Sequence, residues 1–208
     1  MCWNAKVSLN TFIFGLISMI IVLILNKISY KIILFTLTLT LIQLLEYYTW
    51  NNINNKETVY YLSIIGFFII SFQIALLNYW FLNKNDKPIA LLLLFILLIH
   101  LFIHNYQNNK FRMEKGENKH LIWHWVDIPL PLLIIILTFY IYPSFRYGYI
   151  AFIYMIIPLS ISLYNYYKYK TWGSMWCYIS NIIWIILILK SLYETFNGKK
   201  EIRQLKFF

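Results

Sequence analysis

The sequence predicts an all-α fold, a polytopic transmembrane helical bundle of about seven spans. Three observations carry this expectation. Hydrophobic residues make up 61% of the 208 and charged residues only 12%, against about 45–50% and about 25% in soluble domains. The apolar residues fall in long unbroken runs, which read as membrane spans. The runs are continuous instead of alternating, so each is a helix, the element that satisfies its own backbone groups within one segment in lipid.

Seven runs are expected at about 9–26, 31–50, 58–82, 88–106, 121–142, 147–167 and 174–195, each near the ~20 residues that cross a hydrocarbon core. The first follows a short N-terminus with Lys6 and lacks a small-residue cleavage site after it, so it reads as a retained first span. Polar turns "NKISYK" and "NNINNKE" bound the second. "NKNDKP" ends in Pro88, suited to a helix's first turn, where its missing N–H would be unpaired anyway. Residues 105–119, "NYQNNKFRMEKGENK", form the longest and most charged connection. Pro129 and Pro131 fall in the first third of the fifth run and are expected to kink it or delay its regular start. "YPSFRYG" and "YKYKTWG" frame the sixth run. The spans form one domain, residues 1–197, and 198–208 form a basic extramembrane tail. No internal repeat is evident, so sequence symmetry gives no support to an inverted-repeat carrier.

The formal net charge is +10. Its basic residues are scattered through short loops and the tail, with no dense stripe, which argues against nucleic-acid binding and for loops beside anionic lipid. Lys and Arg divide evenly between the two membrane faces, so the positive-inside rule gives no orientation. Trp3, Trp50, Trp80, Trp123, Trp125, Trp172 and Trp176 fall at expected span ends, as an aromatic belt does. Lys190 in the last run invites comparison with retinal proteins, but Glu194 at i+4 makes a snorkelling lysine with an ion-pair partner the simpler reading.

Threading seven crossings brings most chemically capable residues to the face bearing the N-terminus. Gln43, Glu46 and Trp50 end the second run on one helical side. His100 and His104 end the fourth. "HLIWHWVD" opens the fifth with His120, His124 and Asp127, which share one face if that stretch is helical. Ser174, Cys177, Asn181 and Trp184 share a face of the seventh, and Cys2 lies at the N-terminus. Histidines at i and i+4 are spaced to hold one zinc ion from a helix, which makes His100, His104, His120 and His124 candidate metal ligands. The plain alternative is wet interfacial histidine. Glu46 and Asp127 are the candidate catalytic carboxylates, because an ionisable group within a span is costly and faces protein or water. Cys2 and Cys177 are open to a disulfide, to metal ligation or to a role as plain thiols.

The stretches "MCWNAKVSLNTF", "LLEYYTW", "SFQIALLNYW", "HLIWHWVD" and "TWGSMWCYISN" resemble a family of small multi-pass membrane proteins of unknown function, found in large DNA viruses with bacterial relatives. Its opening motif is usually Met-Cys-Trp-Ser; Asn4 stands here for the Ser, while Glu46, Phe72 and Gln73 match. The resemblance implies a membrane protein, virus-encoded and acting on host or virion membranes, and no particular activity. "HLIWH" also looks like the His-x-x-Trp-His helix of alkaline-ceramidase-type intramembrane zinc hydrolases, although theirs lies in the last span.

Three readings follow from the sequence. One is a multi-pass membrane protein without assigned chemistry, with the lipid bilayer and a lipid or small-molecule ligand as partners. Another is a zinc-dependent intramembrane lipid hydrolase, with the histidines as ligands and Asp127 or Glu46 as base. The third is a proton-coupled small-solute transporter or channel, with Glu46 and the histidines as relay.

Overall fold

The computed structural model describes residues 4–197. Cys2, the rest of the Met-Cys-Trp motif and the basic tail lie outside the described residues. Eight helical segments follow in order: α1 (Ala5–Leu25), α2 (Tyr30–Asn51), α3 (Lys56–Phe81), α4 (Lys87–Gln107), α5 (Leu130–Tyr147), α6 (Tyr149–Tyr166), α7 (Trp172–Ser180) and α8 (Ile183–Phe196). Among the described residues six stretches are long and apolar enough to cross a membrane: α1 to α5, and Trp172–Phe196, which joins α7 to α8. The remaining helix, α6, has 18 residues with Pro158 inside, and packs against α5 and α7. This is the multi-pass, all-α architecture that the apolar runs predict, and its outward apolar surface suits lipid.

Helix boundaries follow local chemistry. Asn4 caps α1 by accepting from the Val7 N–H at 3.0 Å, and Asn26 ends it in the left-handed region with φ 49. Asn55 caps α3 through the Thr58 N–H at 3.1 Å. Side-chain oxygens at these positions take up N–H groups that the first helical turn leaves without partners.

At the centre stands α2. Its first 20 residues include four threonines, and Thr36, Thr38, Thr40, Gln43, Glu46 and Thr49 are all buried. Thr36, Thr38 and Thr49 each bond back to a carbonyl three or four residues earlier, at 2.8, 2.6 and 2.9 Å. The hydroxyls are thereby satisfied within the helix, and their small size lets neighbouring helices approach closely. The closest approach is by α1. A Cβ built on Gly15 would lie 2.4 Å from Thr40 Cγ2 and 2.6 Å from Thr40 Oγ1.

Pro143 lies inside α5. Proline donates no hydrogen bond, which frees the carbonyl four residues earlier. That carbonyl belongs to Phe139, and it accepts from Asn78 Nδ2 of α3 at 2.8 Å. The same Nδ2 lies 2.8 Å from the Ile74 carbonyl. Asn78 thus repairs the backbone of a neighbouring helix, as membrane interiors require.

The longest connection departs from the expected fifth span. Residues 121–129 are not α-helical. β1 (Met113–Lys115) pairs antiparallel with β2 (Leu121–Trp123), with Met113 opposite Trp123 and Lys115 opposite Leu121. A single 3₁₀ turn follows at His124–Val126, and α5 begins only at Leu130. The prolines explain the difference. Pro129 takes φ −54, ψ 140 as N-cap and Pro131 occupies the first helical turn; a residue before proline is driven out of the α region.

This hairpin is seated on the bundle. Trp123 and Trp125 stack with centroids 5.2 Å apart and planes 10° apart. Each rests on a glycine: a Cβ at Gly66 of α3 would meet Trp125 Cζ2 at 3.1 Å, and one at Gly173 of α7 would meet Trp123 Cε3 at 3.3 Å. Phe67 meets Trp125 edge-on with centroids 6.2 Å apart, and packs in turn with Phe102 and Phe111, whose ring centroids and its own lie 5.2–5.8 Å from one another. Asn105 Nδ2 of α4 donates to the Trp125 carbonyl at 3.1 Å, and Asn118 Nδ2 to Thr171 Oγ1 at 2.9 Å.

Gly15→Ala is expected to destabilise the bundle by about 1–3 kcal/mol, the range for overpacking, because Thr40 cannot rotate away without giving up its bonds to Asn181 and Trp184. Thermal unfolding in detergent checks this. The Gly15→Ala, Thr40→Ala double variant should lose less than the sum of the single variants, since the second change removes the clash.

Candidate functional site

The face of α2 that carries Gln43 and Glu46 meets the face of the last span that carries Ser174, Cys177, Asn181 and Trp184, two groupings that helical spacing alone predicts. Glu46 Oε1 accepts from Ser174 Oγ at 2.6 Å, and both residues are 0% exposed. Cys177, a buried thiol, lies one turn beyond Ser174. Toward the opposite end, Thr40 Oγ1 accepts from the Trp184 indole N–H at 2.8 Å and stands 3.2 Å from Asn181 Oδ1. Asn181 Nδ2 donates to the Cys177 carbonyl at 2.8 Å.

This line of polar contacts runs past the break between α7 and α8. At Asn181 and Ile182 the backbone bonds tighten to i→i−3, from Asn181 N–H to Tyr178 and from Ile182 N–H to Ile179, each 3.1 Å. Such 3₁₀ tightening often marks a hinge. Sequence inspection found Glu46 and the α7 face but missed Thr40; the alternation "TLTLT" was its signal, since threonine every second residue puts hydroxyls on both sides of a helix.

Beside Cys177, under the hairpin, lies a cavity of about 60 Å³ lined by Phe67, Ile74, Trp125, Tyr140, Trp176 and others. Its walls are almost wholly apolar, and an apolar cavity stays dry. Tyr140 donates its hydroxyl to Gln73 Oε1 at 2.8 Å.

The remaining candidates share one end of the bundle without converging. His100 is exposed on α4, and His104 Nδ1 lies 3.4 Å from Asn108 Nδ2. His120 is buried in the hairpin, its ring edge-on to Tyr166 with centroids 5.3 Å apart. His124 Nε2 meets Glu114 Oε1 at 2.6 Å. Asp127 Oδ2 pairs with Lys170 Nζ at 2.7 Å, while Lys110 Nζ donates to the Asp127 carbonyl at 2.5 Å. Among the described residues no three of His, Cys, Asp and Glu stand together as a metal site. The zinc set expected from His100, His104, His120 and His124 is therefore not assembled. Its premise was a helical "HLIWHWVD", whereas Leu121–Trp123 is a strand and His124 opens a 3₁₀ turn, so the two histidines are not stacked one α-helical turn apart and each has its own neighbour, Tyr166 or Glu114. Asp127 likewise belongs to a surface ion pair that ties the hairpin to the start of α7, not to the Glu46 contact. Glu114, Lys110 and Lys170 were missed as partners because pairing across a hairpin and between distant loops leaves no periodic trace.

Burial pushes His120 down to about 4 from the ordinary 6.5. Protonation is thus easier in the opened hairpin than in the closed one. Hairpin stability should be complete above pH 6.5, fall as pH drops toward 4 and level off below. Hydrogen exchange across residues 112–127, measured against pH, checks this; His120→Phe should flatten the dependence over that window.

The chain matches no protein-family model, no curated protein and no solved structure.

Proposed function

We propose that this multi-pass membrane protein is a proton-coupled carrier or channel for a small solute, with Glu46 as the group that takes up and returns the proton. The observation that supports this reading is the Glu46–Ser174 contact: a carboxyl 0% exposed, inside a span, held at 2.6 Å by a hydroxyl on the facing segment. An intramembrane carboxyl is costly and in membrane proteins marks proton and ion pathways. Its partner sits on α7, one half of a broken helix, the form that transport sites use near the bilayer middle. Opening at the Asn181–Ile182 break would part Ser174 from Glu46 and change how firmly the carboxyl holds its proton. The viral resemblance puts the membrane concerned, on this reading, in the host cell or the virion.

Proteoliposomes with an entrapped pH-sensitive dye test this. Mixed amino acids, sugars and nucleosides are added outside under an imposed pH gradient. Solute-evoked proton movement is expected in the native protein and should be lost in Glu46→Gln, which keeps the shape and the acceptor oxygen. Identical proton movement in the two proteins would rule the reading out. Ser174→Ala, which removes the donor to a buried acceptor, should cost about 1–3 kcal/mol of stability and shift the pH dependence of that movement.

A further inference from the structure

The end of the bundle away from the hairpin carries a second feature, unconnected with Glu46. A groove of about 500 Å³ opens there among α2, α3, the α5–α6 turn and α8, within the ~300–1,000 Å³ of small-molecule sites. Phe35, Leu77, Phe81, Met155 and Leu187 give it an apolar lining, and Lys190 supplies a cation. The Lys190 side chain is 52% exposed, and its Nζ stands 3.9 Å from Glu194 Oε1, at the outer limit of an ion pair. Tyr147 and Tyr149, either side of Gly148, are exposed where the chain turns from α5 to α6.

The occupant must match an apolar lining and a basic rim. The segments meeting at this end, Asn26–Tyr30, Leu82–Lys87 and the end of α5, carry Lys27, Lys31 at the start of α2, Lys84, Lys87 and Arg146, with Asp86 and Glu194 as the acidic residues among those described. Basic groups at a membrane surface attract anionic headgroups at close range. Lysine also keeps its ammonium at the interface while its methylenes lie along apolar surface. A soluble anion would leave the apolar lining uncovered, and an uncharged hydrocarbon would leave Lys190 with only its distant Glu194.

We propose that this groove binds one acyl chain of a net-anionic phospholipid, with the headgroup phosphate paired to Lys190 in competition with Glu194. Because Glu194 is the competitor, its removal strengthens the site, which a merely sticky apolar surface would not do.

The test uses the full chain reconstituted in vesicles of equal phosphatidylglycerol and phosphatidylcholine, then extracted gently for native mass spectrometry of the retained lipid. The native protein should retain about one phosphatidylglycerol in preference to phosphatidylcholine. Lys190→Gln should lower that preference about fivefold, the effect of one basic group near a membrane. Glu194→Gln should raise it, and Lys115→Gln, on the hairpin at the opposite end of the bundle, should leave it unchanged. Ala151→Trp, which fills the groove, should abolish retention; if that variant misfolds, the two charge variants still decide. Equal retention of the two lipids by the native protein, or an unchanged preference in Lys190→Gln, would overturn the proposal.

Discussion

Everything in this bundle depends on enclosing the polar face of α2. A helix carrying Thr36, Thr40, Gln43, Glu46 and Thr49 along its buried side is poorly matched to lipid, where each polar group needs a partner inside the protein. The chain meets the demand in two ways. Threonine hydroxyls turn back onto their own helix, and longer polar groups find partners on α7 and α8. Close approach is a condition of both, and it explains why Gly15 of α1 stands against Thr40 and why α2 is the most buried of the candidate spans. The break at Asn181 belongs to the same solution, since it turns Asn181 and Trp184 toward Thr40.

The spans were legible because composition and run length decide them: a run such as Leu91–Leu98 permits no other reading in a polytopic chain. Two of the site's residues were legible as well. Helical spacing assigns Glu46 and Ser174 to defined faces of the second and seventh spans, and the structure joins those faces. The stretch "HLIWHWVD" was misread because it is apolar enough to join the run that follows. Two prolines nine and eleven residues after its first position, Pro129 and Pro131, outweighed hydropathy. A helix cannot begin before such a pair, so the segment is free to pair as a strand with Met113–Lys115. Ion pairs such as Asp127–Lys170, joined across 43 residues, depend on where loops meet in space and leave no local pattern.

The two ends of the molecule are built on different physics. One is closed by aromatic packing and a seated hairpin, and it holds two ion pairs at short range, His124–Glu114 and Asp127–Lys170. The other is open, with tyrosines, a groove and a lysine whose nearest acid lies 3.9 Å away. Between them the Glu46 contact is insulated from both. Such polarity gives a chain with an even distribution of basic residues a structural distinction between its two faces.

The paired indoles of Trp123 and Trp125 carry a consequence of their own. Two near-parallel rings at 5.2 Å are close enough for their electronic transitions to couple, so the seated hairpin has an optical signature distinct from that of isolated tryptophans. The two glycines that receive them, Gly66 and Gly173, belong to different helices. Any sliding of α7 relative to α3 therefore moves one indole against the other. The molecule contains its own built-in optical strain gauge between those helices, readable in near-ultraviolet circular dichroism without an added label.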